Sequence, residues 1–169
     1  HMNLFDTIPE AKGEYKERIF RTADFAVSLS EKARRAGILS LEEHTGGWSE
    51  DYGTELPPLT MPALDAEDFY DEATYIRPFA AGGIEETLFR RLLMMVLDGF
   101  DAENIADIAR YTLASAHNED DETRLSLMIG AEGILSLQRG DNRRTTIILL
   151  SSMMGRALCE EYCKTRLKD

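Results

Sequence analysis

From Glu14 to about Ala36, apolar residues recur at Tyr15, Ile19, Phe20, Ala23, Ala26, Val27, Leu29 and Ala33, while Lys16, Arg18, Arg21, Glu31 and Lys32 occupy the positions between them. Steps of three and four place those apolar residues on one side of an α-helix and predict an amphipathic helix with a wet basic face. Gly37 breaks the pattern, and Ile38, Leu39 and Leu41 resume it ahead of Glu42, Glu43 and His44. A hinged helix and two helices meeting at Gly37 fit this equally well.

Periodicity is lost between Thr45 and Gly83, where four prolines and five glycines punctuate the chain. A loop this long is uncommon inside a domain. Trp48, Tyr52, Phe69, Tyr70, Tyr75 and Phe79 supply aromatic surface to tether it, so we expect an ordered wrap with one short helix near residues 65–73.

Helical spacing returns at Ile84–Leu97, whose last two turns are almost wholly apolar, as expected of a central buried helix. Asp98 and Gly99 end it, and Asp101 is placed to cap the next helix with its carboxylate. Ile105, Ile108, Ala109, Leu113 and Ala116 form the stripe of that helix. After an acidic turn at His117–Glu122, a further helix carries Leu125, Met128, Ile129, Ile134, Leu135 and Leu137 and closes at Gly140. Asp141 or Asn142 then caps a last helix running through Ile147, Leu150, Met154 and Leu158 to a basic tail. No stretch alternates long enough to demand a sheet. The pattern predicts an all-α protein, a compact bundle of about five helices with a long irregular insert at 45–83. It forms one domain over residues 3–169 once His1 and Met2 are set aside as a tag remnant.

Charge refines this picture. The net charge is −12, with eight acids against one base in residues 45–83 and eight bases against five acids in residues 124–169. So acidic a surface repels phosphate backbones, and nucleic acid is not an expected partner. No apolar run approaches the roughly 20 residues that cross a bilayer, and no leader is recognisable, so the expected location is the cytoplasm. Cys159 and Cys163 lack the further Cys or His pair that a zinc site needs and read as reduced structural thiols.

Candidate chemistry is sparse. Apart from His1, only His44 and His117 offer an imidazole, both in acidic and exposed-looking contexts. Glu42, Glu43 and His44, or His117 with Asp120 and Asp121, contain ligand types, but neighbouring helix residues point in different directions. No phosphate loop or dinucleotide fingerprint occurs, and Met94, Met95, Met128, Met153 and Met154 read as core fillers before a pliable groove. No catalytic, cofactor-binding or metal residue is named, and we expect neither an enzyme nor a cofactor.

Three segments carry a specific resemblance. Glu31–Glu43 is a basic helix leading into Gly37 and the Leu41–Glu42 pair; Val96–Glu103 holds a helix-ending Asp98–Gly99 and an acidic cap; Ile129–Arg144 is a glycine-bearing helix ending at Gly140–Asp141. In this order they resemble the cytoplasmic part of the flagellar stator protein MotA, of the MotA, TolQ and ExbB proton-channel family. The family's four membrane helices have no counterpart here, so the resemblance implies a body without a channel. It also implies a contact surface, because Arg34 and Glu42 match the basic and acidic residues with which the family meets the rotor's switch protein, with Arg35 as a helper. Arg143 stands where the family usually has proline, and Ile147, Ile148 and Leu149 replace polar residues, so the last helix should be more buried or should meet a partner. The insert has no clear counterpart and lies where it can cover that surface.

The expected function is therefore a soluble, non-enzymatic MotA-like component or regulator of the flagellar motor. It would bind rotor switch or stator proteins through Arg34, Arg35 and Glu42, as a monomer or dimer, in the cytoplasm and peripheral to the motor at the inner membrane. A helical binding module of unrelated role on a stator-derived scaffold is the alternative, and a metal-bearing enzyme is a third class.

Overall fold

A computed structural model describes residues 7–46, 56–63 and 67–167. Among these residues all regular structure is helical, eight α-helices and two short 3-10 turns with no strand. A turn at Gly13–Tyr15 leads into α1 (Lys16–Ala36), and a second turn at Ile38–Leu41 leads into α2 (Glu42–Thr45). The others are α3 (Glu72–Ile76), α4 (Ile84–Leu97), α5 (Ala102–Ser115), α6 (Asp121–Arg139), α7 (Arg143–Ser151) and α8 (Gly155–Arg166).

A short helix stands at Glu72–Ile76, overlapping the end of the one predicted near 65–73, and the Asp71 carboxylate accepts a hydrogen bond from the Thr74 amide at 2.9 Å. Residues 64–66 of that expectation, and the tethers Trp48 and Tyr52, lie outside the described residues. The predicted last helix is two. The Ser151 and Ser152 hydroxyls both donate to the Ile148 carbonyl, and Gly155 takes a φ of 72°, so the chain turns between α7 and α8. Asn142, not Asp141, caps α7, accepting from the Thr145 amide at 2.8 Å. Asp101 occupies the N-cap position of α5, but its side chain makes no capping bond.

The centre of the bundle is the pair α1 and α6 as much as α4. Every residue of α1 from Thr22 to Ser30 is buried, as is every residue of α6 from Leu125 to Leu137 except Glu132. Two glycines of α6 let its neighbours approach closely. A Cβ on Gly133 would stand 2.4 Å from the Ala26 Cβ of α1, and one on Gly130 would stand 2.1 Å from the Phe89 ring of α4. Phe89 completes an aromatic cluster with Phe25 and Phe79, at centroid distances of 6.1 and 5.2 Å. Phe79 belongs to the insert, so this ring roots the end of the wrap in the core.

One set of polar groups pairs across three helices of the bundle. Glu85 of α4 accepts from Arg18 Nη2 at 2.9 Å and from the Ser126 hydroxyl of α6, which meets Thr22 Oγ1 at 2.6 Å. Arg18 and Lys32 are therefore not simply wet-face charges, because each is drawn inward to a partner on another element. Of the aliphatic run on α7, Ile147 is buried and Leu149 half-buried, while Ile148 is exposed. The five core-filler methionines are all buried. No helix among the described residues is long and apolar enough to cross a membrane.

Candidate functional site

Arg34, Arg35 and Glu42 all lie on the exposed corner where α1 gives way to α2. Gly37 makes that corner. Its φ of 88° lies in a region that side-chain-bearing residues rarely adopt, and its amide closes α1 on the Ala33 carbonyl at 2.8 Å. The Ser40 amide and hydroxyl then both donate to the Gly37 carbonyl, at 3.1 and 2.6 Å, which locks the following turn. Leu41 is fully buried and anchors the turn, while Ile38 and Leu39 face outward.

The two arginines diverge, as successive helical residues must. Arg34 Nη1 donates to the Gly140 carbonyl at 2.8 Å, closing the C-terminal end of α6. Arg35 makes no ion pair or hydrogen bond with any described residue and lines a groove of about 390 Å³ with Lys32, Ala36, Glu43, His44 and Pro62. Glu42 and Glu43 occupy the first turn of α2, and both are exposed. Pro62 belongs to the insert, which thus borders this surface. Arg34, Arg35 and Glu42 are exposed, and residues 47–55 and 64–66 of the insert that was expected to cover or replace this surface lie outside the described residues.

His44 is buried, with 8% of its surface exposed, and the exposed context expected for it is corrected. Its Nδ1 meets Thr60 Oγ1 at 2.8 Å, and Lys32 donates to its Nε2 at 2.6 Å. Burial first, then the adjacent Lys32 charge, push the imidazole down to a pKa of about 4, so near neutrality it is uncharged and accepts from the ammonium. Lys32 also pairs with Glu43, and burial lowers its own pKa. Both imidazole nitrogens are thus committed to holding α1, α2 and the insert together. The Thr60 amide bonding the His44 carbonyl at 3.0 Å reinforces that junction. His117 is exposed, and Asp120 beside it caps α6 by accepting from the Thr123 amide at 2.8 Å. Among the described residues no three His, Cys, Asp or Glu side chains group as metal ligands would.

A second constellation escaped the sequence reading. Asp24, buried in the middle of α1, accepts hydrogen bonds from Tyr162 and Tyr70, each at 2.6 Å, and from Arg166 Nη2 at 2.6 Å. The Arg166 guanidinium stacks 3.7 Å from the centre of the Phe69 ring. Burial, then the Asp24 charge, raise both phenols above their ordinary range, so they stay protonated and donate. The cluster binds α1, α8 and the insert, and its Tyr70 and Arg166, with Phe69, line an open cavity of about 530 Å³ that Lys16, Phe20 and Glu161 border. The signal for it was a lone aspartate inside Ala23–Val27, an otherwise apolar run.

No protein-family model, curated protein or solved structure matches this chain.

Proposed function

We propose that this chain is a non-enzymatic, MotA-like protein that docks on a component of the flagellar motor, the rotor switch protein first and the stator second. The docking surface is the corner carrying Arg34, Arg35 and Glu42. One observation supports this above the rest: the turn fixed by Gly37 carries exposed charges of both signs and two exposed aliphatic side chains. Two of the matched segments also meet directly, since Arg34 donates to the Gly140 carbonyl at 2.8 Å. In this reading the protein works in the cytoplasm as a monomer or dimer, at the inner membrane beside the motor.

The test is calorimetric titration of the purified chain with the purified rotor switch protein of the same cell. Arg35→Glu and Glu42→Lys are the variants of choice, because Arg34 also closes α6 and its loss would mix folding with binding. Each reversal should weaken binding several-fold at low salt, with the difference shrinking as salt screens the rim charges. Equal affinity for wild type and the double reversal, or no binding by the wild type, would refute the proposal.

A further inference from the structure

The open cavity of about 530 Å³ beside the Asp24 cluster has the size of a small-ligand pocket. Phe20 of α1 and Phe69 and Tyr70 of the insert bring their rings to it, and Glu14, Glu17 and Glu161 stand among its other lining residues. The rings here already hold one cation of the chain's own. The Arg166 guanidinium lies 3.7 Å from the centre of the Phe69 ring, 4.8 Å from that of Tyr162 and 5.2 Å from that of Phe20. Phe69 nonetheless keeps 38% of its surface exposed, so ring area remains for a further occupant.

Charge decides what that occupant is. Both cations lining the cavity are already neutralised: Arg166 directs Nε and Nη2 to Asp24 and Nη1 to Thr165 Oγ1, and Lys16 pairs with Glu161. The Tyr70 hydroxyl is committed to Asp24 as well. Glu14 and Glu17 are exposed, and neither makes a hydrogen bond or ion pair with a described residue. The charges left over are therefore two carboxylates, and an anion entering the cavity would meet only cations that already have a carboxylate partner. We propose that this cavity binds a small organic ammonium ion with an apolar body, the body lying against Phe69 and Phe20 and the ammonium set towards Glu14 and Glu17. Ring faces and carboxylates attract a cation in the same sense, so both features select the same ligand. The assignment is independent of the docking reading, because none of these residues belongs to the corner at Gly37.

The experiment is a titration of the isotope-labelled full chain, followed by amide shifts, with three probes of similar shape: benzylamine, benzyl alcohol and benzoate. Benzylamine should move amides around Gly13, Phe69 and Thr165 with an affinity on the order of millimolar, as its few atoms allow. Benzyl alcohol should bind roughly threefold to tenfold more weakly, and benzoate should leave those amides unmoved. Glu14→Gln combined with Glu17→Gln should bring the amine down to the level of the alcohol. Glu103→Gln combined with Glu119→Gln removes the same charge from exposed positions outside the cavity and should change nothing. All four glutamates are exposed, so both double variants should melt close to wild type. An amine bound no more tightly than the alcohol, shifts scattered over the acidic surface, or equal losses in the two double variants would overturn the assignment.

Discussion

Placing a methyl group on Gly133 asks whether α1 and α6 really meet as closely as the fold requires. The new Cβ would stand 2.4 Å from the Ala26 Cβ and 3.3 Å from Leu150 Cδ1. Carbon atoms settle at about 3.5–4.0 Å, so the two helices must part by roughly an ångström or bend locally. Neither neighbour can swing aside, because Ala26 is itself a methyl on a helix backbone and Leu150 is fully buried in α7. Overpacking of this kind costs about 1–3 kcal/mol, against which alanine regains roughly 1 kcal/mol of helix propensity over glycine. The net expectation for Gly133→Ala is a loss of ~0–2 kcal/mol, a fall of up to about 8 °C in melting temperature for a chain of this size. Gly13→Ala is the control. Nothing lies within 4 Å of a Cβ there, so that variant should melt within a degree or two of wild type. Urea and thermal melts of the three proteins read both numbers. A Gly133→Ala protein more stable than wild type would refute the close helix contact.

Arg166→Met removes the cation from Asp24 and leaves a buried carboxylate held only by two phenols. Breaking a buried pair from one side costs about 3–5 kcal/mol, and denaturant melts should show a loss near the lower end of that range because the tyrosines remain. Stability should also fall as pH drops from 6.5 towards 4. Over that window the unfolded chain protonates His44, while the folded chain, with its imidazole held down at about 4, does not. The contribution is fully present above 6.5 and lost as pH falls, with a slope of up to ~1.4 kcal/mol per unit, and His44→Gln should flatten it in acid titrations of stability. An imidazole resonance that titrates near 6.5 in the folded protein would contradict the buried His44–Thr60–Lys32 junction.

The helices were legible where apolar spacing ran uninterrupted. Ile19, Ala23 and Ala26 of α1, or Leu125, Ile129 and Ile134 of α6, announce their face because burial repeats at the helical period. Gly140 was legible too, since a left-handed cap favours glycine, whereas the cap of α7 was legible only as Asp141 or Asn142 because either side chain can accept from the first turn. The break between α7 and α8 was not, because two serines and a glycine inside an apolar run read as tolerated helix residues until their hydroxyls turn back on Ile148. Phe25 fell outside the predicted stripe and yet is fully buried, because α1 is enclosed on more than one side.

At the candidate site, the exposure of Arg34, Arg35 and Glu42 follows from their places beside Gly37, which local sequence shows. The burial of His44 does not, since it depends on Thr60 and Lys32 arriving from elements 16 residues downstream and 12 upstream. The Asp24 network was hidden for the same reason: its partners lie 46, 138 and 142 residues away in the chain. Long-range pairing of this kind leaves only the odd charge in an apolar run as its local trace.

Hydrogen–deuterium exchange of the chain, free and saturated with the purified rotor switch protein, tests the docking claim most directly. The account predicts that peptides covering residues 34–43 gain protection on binding while those covering α5, away from the corner, exchange as before. Unchanged exchange at 34–43, or protection confined to another face, would contradict it.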